Sequence, residues 1–394
     1  MKHRIIVLGA GYAGANAAGR LAKRLHPADT EITLVNADPE FVERVRLHQL
    51  ATGQDLKPRP LTGVFAGTGV QVRIAQVTAV DADRKTVALA EGDELAYDTL
   101  VYALGSTAAD SGVPGVAEHA HHLAGKQSAL RLRARLAEVP AGGTVLVVGG
   151  GLTGIEAVTE IAEARPDLEV TLAARGGLGD WLSEKARDHL RETFGRLGVT
   201  VHENTAIASV EAAAAVTADG RTIPARVTVW TAGFAVHPLA AATTLAVSAT
   251  GRIVVDETMR SVSHADVYAV GDAALAPGAS GEPLRMSCAS GVPSAYQAAD
   301  AIAARLTGRP LPENKLGYTA QCISLGRHDA VVQWVTPDDR PKPSAVTGRM
   351  AARLKEIICK SAAWSISHPT SMAPVRRRHT VPAGEPLSTL SGRH

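Results

Sequence analysis

Residues 5–8 (Ile-Ile-Val-Leu) form an apolar run that ends in Gly9-Ala10-Gly11-Tyr12-Ala13-Gly14, followed by an Ala, Asn, Arg and Leu stretch with helical spacing. The same succession returns about 140 residues later: residues 145–148 (Val-Leu-Val-Val), then Gly149-Gly150-Gly151-Leu152-Thr153-Gly154, then a helix-compatible segment over 155–164. A second apolar segment follows each, at 31–35 and 169–173. The pattern therefore predicts strand, glycine turn, helix and strand, twice in one chain. Residues 97–105 and 227–233 add a matching pair: each reads as a short buried strand closing on small residues, one in each half.

The glycines of such turns have separate duties. The first, Gly9 or Gly149, makes the tight turn. The second, Gly11 or Gly151, lets backbone approach a diphosphate, and the third, Gly14 or Gly154, lets helix and strand pack closely. The diphosphate then lies at the helix N-terminus, where unpaired N–H groups and the macrodipole favour negative charge. One such turn is a weak signal. Two, each with the next strand at the right distance, predict an α/β chain with two Rossmann-like dinucleotide-binding units. The small-residue turns fit this, because a side chain there would occupy ligand space.

Composition sets the outer bounds. A chain of 394 residues exceeds what one core supports, so two or three domains are expected. Lys plus Arg (41) nearly balances Asp plus Glu (39), so no global field favours nucleic acid and none is expected as a partner. No apolar run approaches the roughly 18 residues that span a bilayer, so any membrane contact would be peripheral. Met1-Lys2-His3-Arg4 leads straight into the first strand, without a signal-peptide pattern, and the expected location is the cytoplasm or the inner membrane face. Cys288, Cys322 and Cys359 form no close pair, which weighs against a redox dithiol and a zinc site; no metal is expected.

With Asp266-Val267-Tyr268-Ala269-Val270-Gly271-Asp272-Ala273-Ala274 added, the chain resembles the two-dinucleotide-binding flavoproteins, the pyridine nucleotide-disulfide oxidoreductase superfamily. The resemblance implies FAD on the first turn and NADH or NADPH on the second, with the nicotinamide domain inserted into the FAD domain. Residues 1–110 and 245–311 would form the FAD domain and 111–244 the NAD(P)H domain. Residues 312–394 would form a C-terminal α+β interface region, with a strand pair around Gly326-Arg327-His328-Asp329 and a mobile tail from Arg376. Implied cofactor positions in the flavin half are Gly9, Gly11, Tyr12, Ala13, Gly14, Asn36, Arg46, Val77, Ala103, Gly105, Gly271 and Asp272, whose carboxylate would accept a hydrogen bond from the ribitol chain. In the other half they are Gly149, Gly151, Gly154, Glu156, Arg175, Ala232 and Gly233. Pro293, Ser294 and Ala295, in a helix expected to begin at Gly291, would face the flavin pyrimidine edge.

Without a dithiol, electrons must leave the flavin by another route. Residues 41–53, which include Arg44, Arg46 and His48, look like the corresponding segment of type II NADH dehydrogenases, which reduce quinones. The implied activity is hydride transfer from NAD(P)H to FAD and then electron transfer to a quinone or another small-molecule acceptor. A ferredoxin reductase or a biosynthetic flavoenzyme acting on a pathway metabolite are the alternatives. Hydride transfer between cofactors is positional, so no catalytic acid or base is assigned; nothing in the spacing selects among His48, His121, His122 and His328.

Two departures matter. A carboxylate usually ends the second strand of each unit to hold a ribose hydroxyl; here Asn36 and Ala174-Arg175 stand there. Asn36 can still bond a ribose, while Arg175 could grip a 2′-phosphate or be a solvated cation. Residues 350–364 suit an amphipathic helix with Met350, Leu354, Ile357 and Trp364 near one face. That face would pack on its own domain or on a homodimer partner, or else rest on a membrane surface.

Overall fold

In a computed structural model, which describes residues 1–313, 315–370 and 375–381, the repeated apolar segments become two five-stranded sheets. The first runs Val267–Ala269, Thr99–Tyr102, His3–Leu8, Thr30–Asn36, Val70–Ile74 in spatial order, with every pairing parallel. The second runs Thr200–His202, Glu169–Ala173, Thr144–Val148, Val227–Trp230, Ala120–His122, again all parallel. Parallel strands covered on both faces read as near-continuous apolar runs, which is why Ile5, Val7 and Leu8, like Leu146 and Val147, have no solvent exposure.

Each sheet has its own three-stranded antiparallel meander, at residues 77–96 and 207–224. The strands Ser106–Ala108 and Phe234–Val236, which leave the two small-residue turns, pair antiparallel with each other. That pair joins the two halves.

The expected strand pair around Gly326 is a hairpin of Ala320–Ser324 and Ala330–Val335, extended by Pro341–Thr347 and followed by the helix Gly348–Ser365. The expected α/β architecture with a C-terminal α+β unit is thus observed. The helix Gly348–Ser365 packs through Ala351, Lys355, Cys359 and Ala363, an i, i+4 series of mostly small residues. Of the face expected from spacing, Met350, Ile357 and Trp364 point outward with Ile358, 41–68% exposed, whereas Leu354 is half-buried against the C-terminal sheet.

Residues 376–381, placed by composition in a mobile tail, lie against the first half. Arg378 forms a strand-like bridge with Leu25, Arg377 Nε donates to the Ala22 carbonyl at 2.9 Å, and Thr380 N donates to Asp29 at 2.9 Å. The Arg377 side chain, together with Arg378 N donating to the Arg24 carbonyl at 2.9 Å, caps carbonyls at the end of the helix Tyr12–Arg24, a task for which cationic side chains are suited. The remainder of that tail, 382–394, lies outside the described residues.

Candidate active site

The two glycine turns are congruent in detail. Gly11 and Gly151 cap 13-residue helices, Tyr12–Arg24 and Leu152–Ala164, at φ/ψ of −70/−172° and −78/−179°. Neither helix has a side-chain cap, so their first N–H groups stay free for an anion. A methyl added at Gly14 would sit 1.8 Å from the Gly9 carbonyl oxygen, and one at Gly154 would sit 1.8 Å from the Gly149 oxygen. Gly9 and Gly149 have φ of +92° and +122°, and a methyl added to them would lie 2.4 Å from Ala103 O and 2.7 Å from Thr231 Oγ1. At Gly11 and Gly151 an added methyl meets nothing within 4 Å. In each turn two glycines are demanded by the protein's own backbone, while the middle one faces open space. Each turn thus leaves open space beside free helix N–H groups, the setting that favours an anion.

The structure gathers the other predicted flavin-side positions unevenly. Gly271 lies between the first helix and the helix Cys288–Leu306: a methyl there would meet Ala13 Cβ at 3.0 Å and Gly291 Cα at 4.0 Å. Ser294 Oγ accepts a hydrogen bond from Gly271 N at 3.0 Å. Asp272 Oδ2 accepts from Ser106 Oγ at 2.6 Å, and Arg44 Nη1 donates to the Ser106 carbonyl at 3.0 Å. Burial weakens the hold of the Arg44 guanidinium on its proton, and the Asp272 charge opposes this. Asn36 Oδ1 accepts from Ala10 N at 2.8 Å, which ties the second strand to the turn. Tyr12 is buried edge-on to Phe41, with ring centroids 4.9 Å apart. Gly105 approaches Arg44, and Val77 opens a meander strand. Arg46 instead turns to the tail helix, where it bonds Glu356 at 2.9 Å beside Gln49 and Glu43.

The helix expected to begin at Gly291 begins at Cys288, because Ser287 caps it by accepting from Ser290 N at 3.3 Å. Pro293 and Ala295 are therefore inside the helix rather than at its start. Pro293 lies past the first turn, so its missing N–H leaves the Ala289 carbonyl one turn earlier without its helical donor. Residues missed from sequence include Arg44, Ser106 and Arg252, whose buried guanidinium donates to the carbonyls of Ala274 and Leu284 at 2.6 Å. Their only sequence signal is nearness to recognised motifs.

On the nicotinamide side, Ala232 N would lie 3.0 Å from a methyl on Gly149, and Gly233 has φ +143°. Ala174 abuts Gly150, 2.8 Å from a methyl added there, and Arg175 next to it is exposed with no ion-pair partner among the described residues. Glu156, in contrast, is held by distant elements. Its carboxylate accepts from Lys355 Nζ and from Ser324 N and Oγ at 3.2 and 3.3 Å, and His48 Nδ1 lies 3.7 Å away. Ser324 Oγ also contacts His48 Nε2 at 3.1 Å and accepts from Lys355 Nζ at 2.9 Å. Burial alone would raise the Glu156 carboxyl, but Lys355 and then His48 outweigh it and hold it below its ordinary value. Burial pulls the His48 imidazole down to about 4 against the pull of Glu156, so the ring is neutral near pH 7.

All three thiols gather within electrostatic reach of Lys355 and Glu156, and burial raises each. Cys288 is exposed at the start of its helix, and the surrounding protein still raises its thiol.

The family model for pyridine nucleotide-disulphide oxidoreductases matches residues 3–301. An NADH dehydrogenase-like protein of Mycobacterium tuberculosis is 29% identical over 352 residues, covering 83% of this chain and 87% of that protein. A type II NADH:quinone oxidoreductase of Staphylococcus aureus is 26% identical, covering 93% of this chain and 96% of its own. The sulfide:quinone oxidoreductase structure of Aquifex aeolicus shares the fold, with a TM-score of 0.79 at 19% identity over 93% of this chain and 92% of that one. Together with the congruent turns, these matches show that the chain belongs to the pyridine nucleotide-disulphide oxidoreductase family and is an NAD(P)H-dependent flavin oxidoreductase.

Proposed function

We propose that the chain holds FAD along the first glycine turn and NADH or NADPH along the second, and passes electrons through the flavin to a quinone. In this reading, residues 1–110 with 245–311 carry the flavin, 111–244 carry the nicotinamide nucleotide, and 312–394 complete the acceptor side. The observation that carries it is the congruence of the two turns, each open only at its middle glycine. When bound, the flavin supplies the two-electron exchange; the protein's part is binding and orientation. Asp272, fixed by Ser106, would take a ribitol hydroxyl, and the positive end of the helix Cys288–Leu306 would favour negative charge on the ring.

A quinone acceptor is supported by the type II relative and by thiols that burial keeps protonated. The buried Glu156–Lys355–Ser324 cluster, with its capacity to pass protons, supports it too. No helix among the described residues is long and apolar enough to cross a membrane, and the outward face of Gly348–Ser365 suits contact with a lipid surface that stores such acceptors. A preference for NADPH is favoured by the small Ala174 and the unpaired Arg175 beside the second turn.

Anaerobic titration of the purified yellow protein with NADH and with NADPH, followed by menadione or ferredoxin, tests the reading. Bleaching by a nicotinamide nucleotide and rapid return of colour with menadione are expected. A colourless protein that binds no added FAD, or a reduced flavin that menadione leaves bleached, would overturn it.

A further inference from the structure

One buried carboxyl has no part in the scheme above. The helix Leu152–Ala164 carries Glu156, Glu160 and Glu163 at i, i+4 and i+7, which lie along one face. That face meets the strand Ala320–Ser324 and the turn that follows it. At the outer end, Glu163 Oε2 accepts from Arg327 N at 2.6 Å; Gly326, φ +84°, allows this because a methyl there would strike the carboxylate at 2.7 Å. At the inner end, Glu156 joins Lys355, Ser324 and His48. Between them Glu160 is 1% exposed. Its Oε1 accepts from Gln54 Nε2 at 2.5 Å and lies 3.5 Å from Arg327 Nε, while Oε2 is buried with no hydrogen-bond partner among the described residues.

A buried carboxylate oxygen without a partner is costly, whereas a protonated one satisfies much of the deficit by losing its charge. Burial, followed by repulsion from Glu163, raises the Glu160 carboxyl to about 7, against the opposing pull of Arg327 and Lys355 and with a further push from Glu156. The charged groups on every neighbouring element are thus Glu156 and Glu163 on its own helix, Arg327 on the hairpin turn and Lys355 on the tail helix; His48 is neutral.

Resting on the quinone reading, we propose that Glu160 is the proton-loading residue of the acceptor side, taking a proton from solvent near the Gly326–Arg327 turn and handing it inward to Glu156. The reaction NAD(P)H + H⁺ + quinone → NAD(P)⁺ + quinol consumes one proton beyond the transferred hydride. In the relay, the Glu160 O–H bond breaks as a Glu156 O–H bond forms, an uphill transfer because Lys355 holds Glu156 ionised; the reduced quinone oxygen, a stronger base, draws it forward by taking that proton from Glu156, and solvent reprotonates Glu160. The two carboxylates are one helical turn apart, about 6 Å along the axis, which one water or a side-chain rotation bridges.

The test compares menadione, whose reduction takes up protons, with ferricyanide, which accepts electrons alone. In Glu160→Gln, which keeps the shape and removes the titration, the ratio of menadione to ferricyanide turnover at pH 7 should fall about tenfold, and the pH profile of menadione turnover should flatten. In Arg327→Gln, whose side chain is half exposed, the midpoint of that profile should move to higher pH, since the cation favouring the ionised carboxylate is gone. An unchanged ratio in Glu160→Gln, an equal fall in both rates, or an unmoved midpoint in Arg327→Gln would overturn the proposal. If Glu160→Gln fails to fold, the Arg327→Gln midpoint decides alone. Wild-type protein that reduces ferricyanide but not menadione would sink the quinone reading, and the relay with it.

Discussion

Gly151 and Gly154 are three residues apart, yet a methyl added to each has opposite consequences. Gly154→Ala would drive its Cβ to 1.8 Å from the Gly149 carbonyl, a backbone collision that no rotamer relieves. Its melting temperature should drop sharply, or the chain should not accumulate at all. Gly151→Ala meets no protein atom within 4 Å, so the fold should tolerate it. Its methyl would instead enter the space assigned to the diphosphate and raise the KM for the nicotinamide nucleotide about tenfold, or about 1.4 kcal/mol. A thermal melt and a KM measurement separate the two effects, and equal behaviour of the variants would remove the diphosphate from this turn. Arg175→Glu makes the matching test of coenzyme choice: the KM for NADPH should rise far more than that for NADH, because only NADPH carries the 2′-phosphate that an introduced carboxylate repels.

At the scale of the element, the helix Gly348–Ser365 has two sides with reversed roles. Ala351 allows close approach to the C-terminal sheet, Ala363 is buried in the core of the first half, and Lys355 reaches inward to a buried acid, so the packed side lacks the bulk that usually marks a core-facing stripe. The apolar spacing over 350–364 revealed the helix but not its orientation, because large residues turned toward a partner or lipid produce the same periodicity as large residues turned toward a core. Ile357→Glu should therefore leave the melting temperature nearly unchanged while lowering co-sedimentation with phospholipid vesicles. A large loss of stability would mean that Ile357 packs within the protein. The glycine turns were legible for the opposite reason: their requirements arise within a few residues of chain, where steric exclusion acts the same way in any surroundings. The start of the helix Cys288–Leu306 was missed by three residues because the Ser287 cap competed with the family's pattern and fixed the boundary locally.

At the scale of the whole molecule, His48, Glu156, Ser324 and Lys355 come together from four separate regions, and no spacing rule in the sequence could have joined them. Their assembly makes stability depend on acidity. His48 has a folded-state value of about 4, below the ordinary 6.5, so at this group the unfolded chain binds more protons between these limits and the His48 contribution to stability is lost as pH falls from 6.5 toward 4, while Glu160, raised from 4.5 to about 7, contributes with the opposite sign. The slope approaches about 1.4 kcal/mol per pH unit within that window. Glu156, also depressed, adds its own loss below its ordinary 4.5. Chemical denaturation at pH 7 and pH 5 should show the wild type losing more stability than His48→Gln, and parallel losses would mean that the imidazole is not buried neutral. The same enclosure governs the sulfur chemistry. Because Cys288, Cys322 and Cys359 are all held as thiols, peroxide and alkylating reagents meet almost no thiolate at neutral pH. Turnover should then survive exposure to iodoacetamide or mild peroxide that silences dithiol-dependent reductases, and the protein would continue to work under oxidative stress.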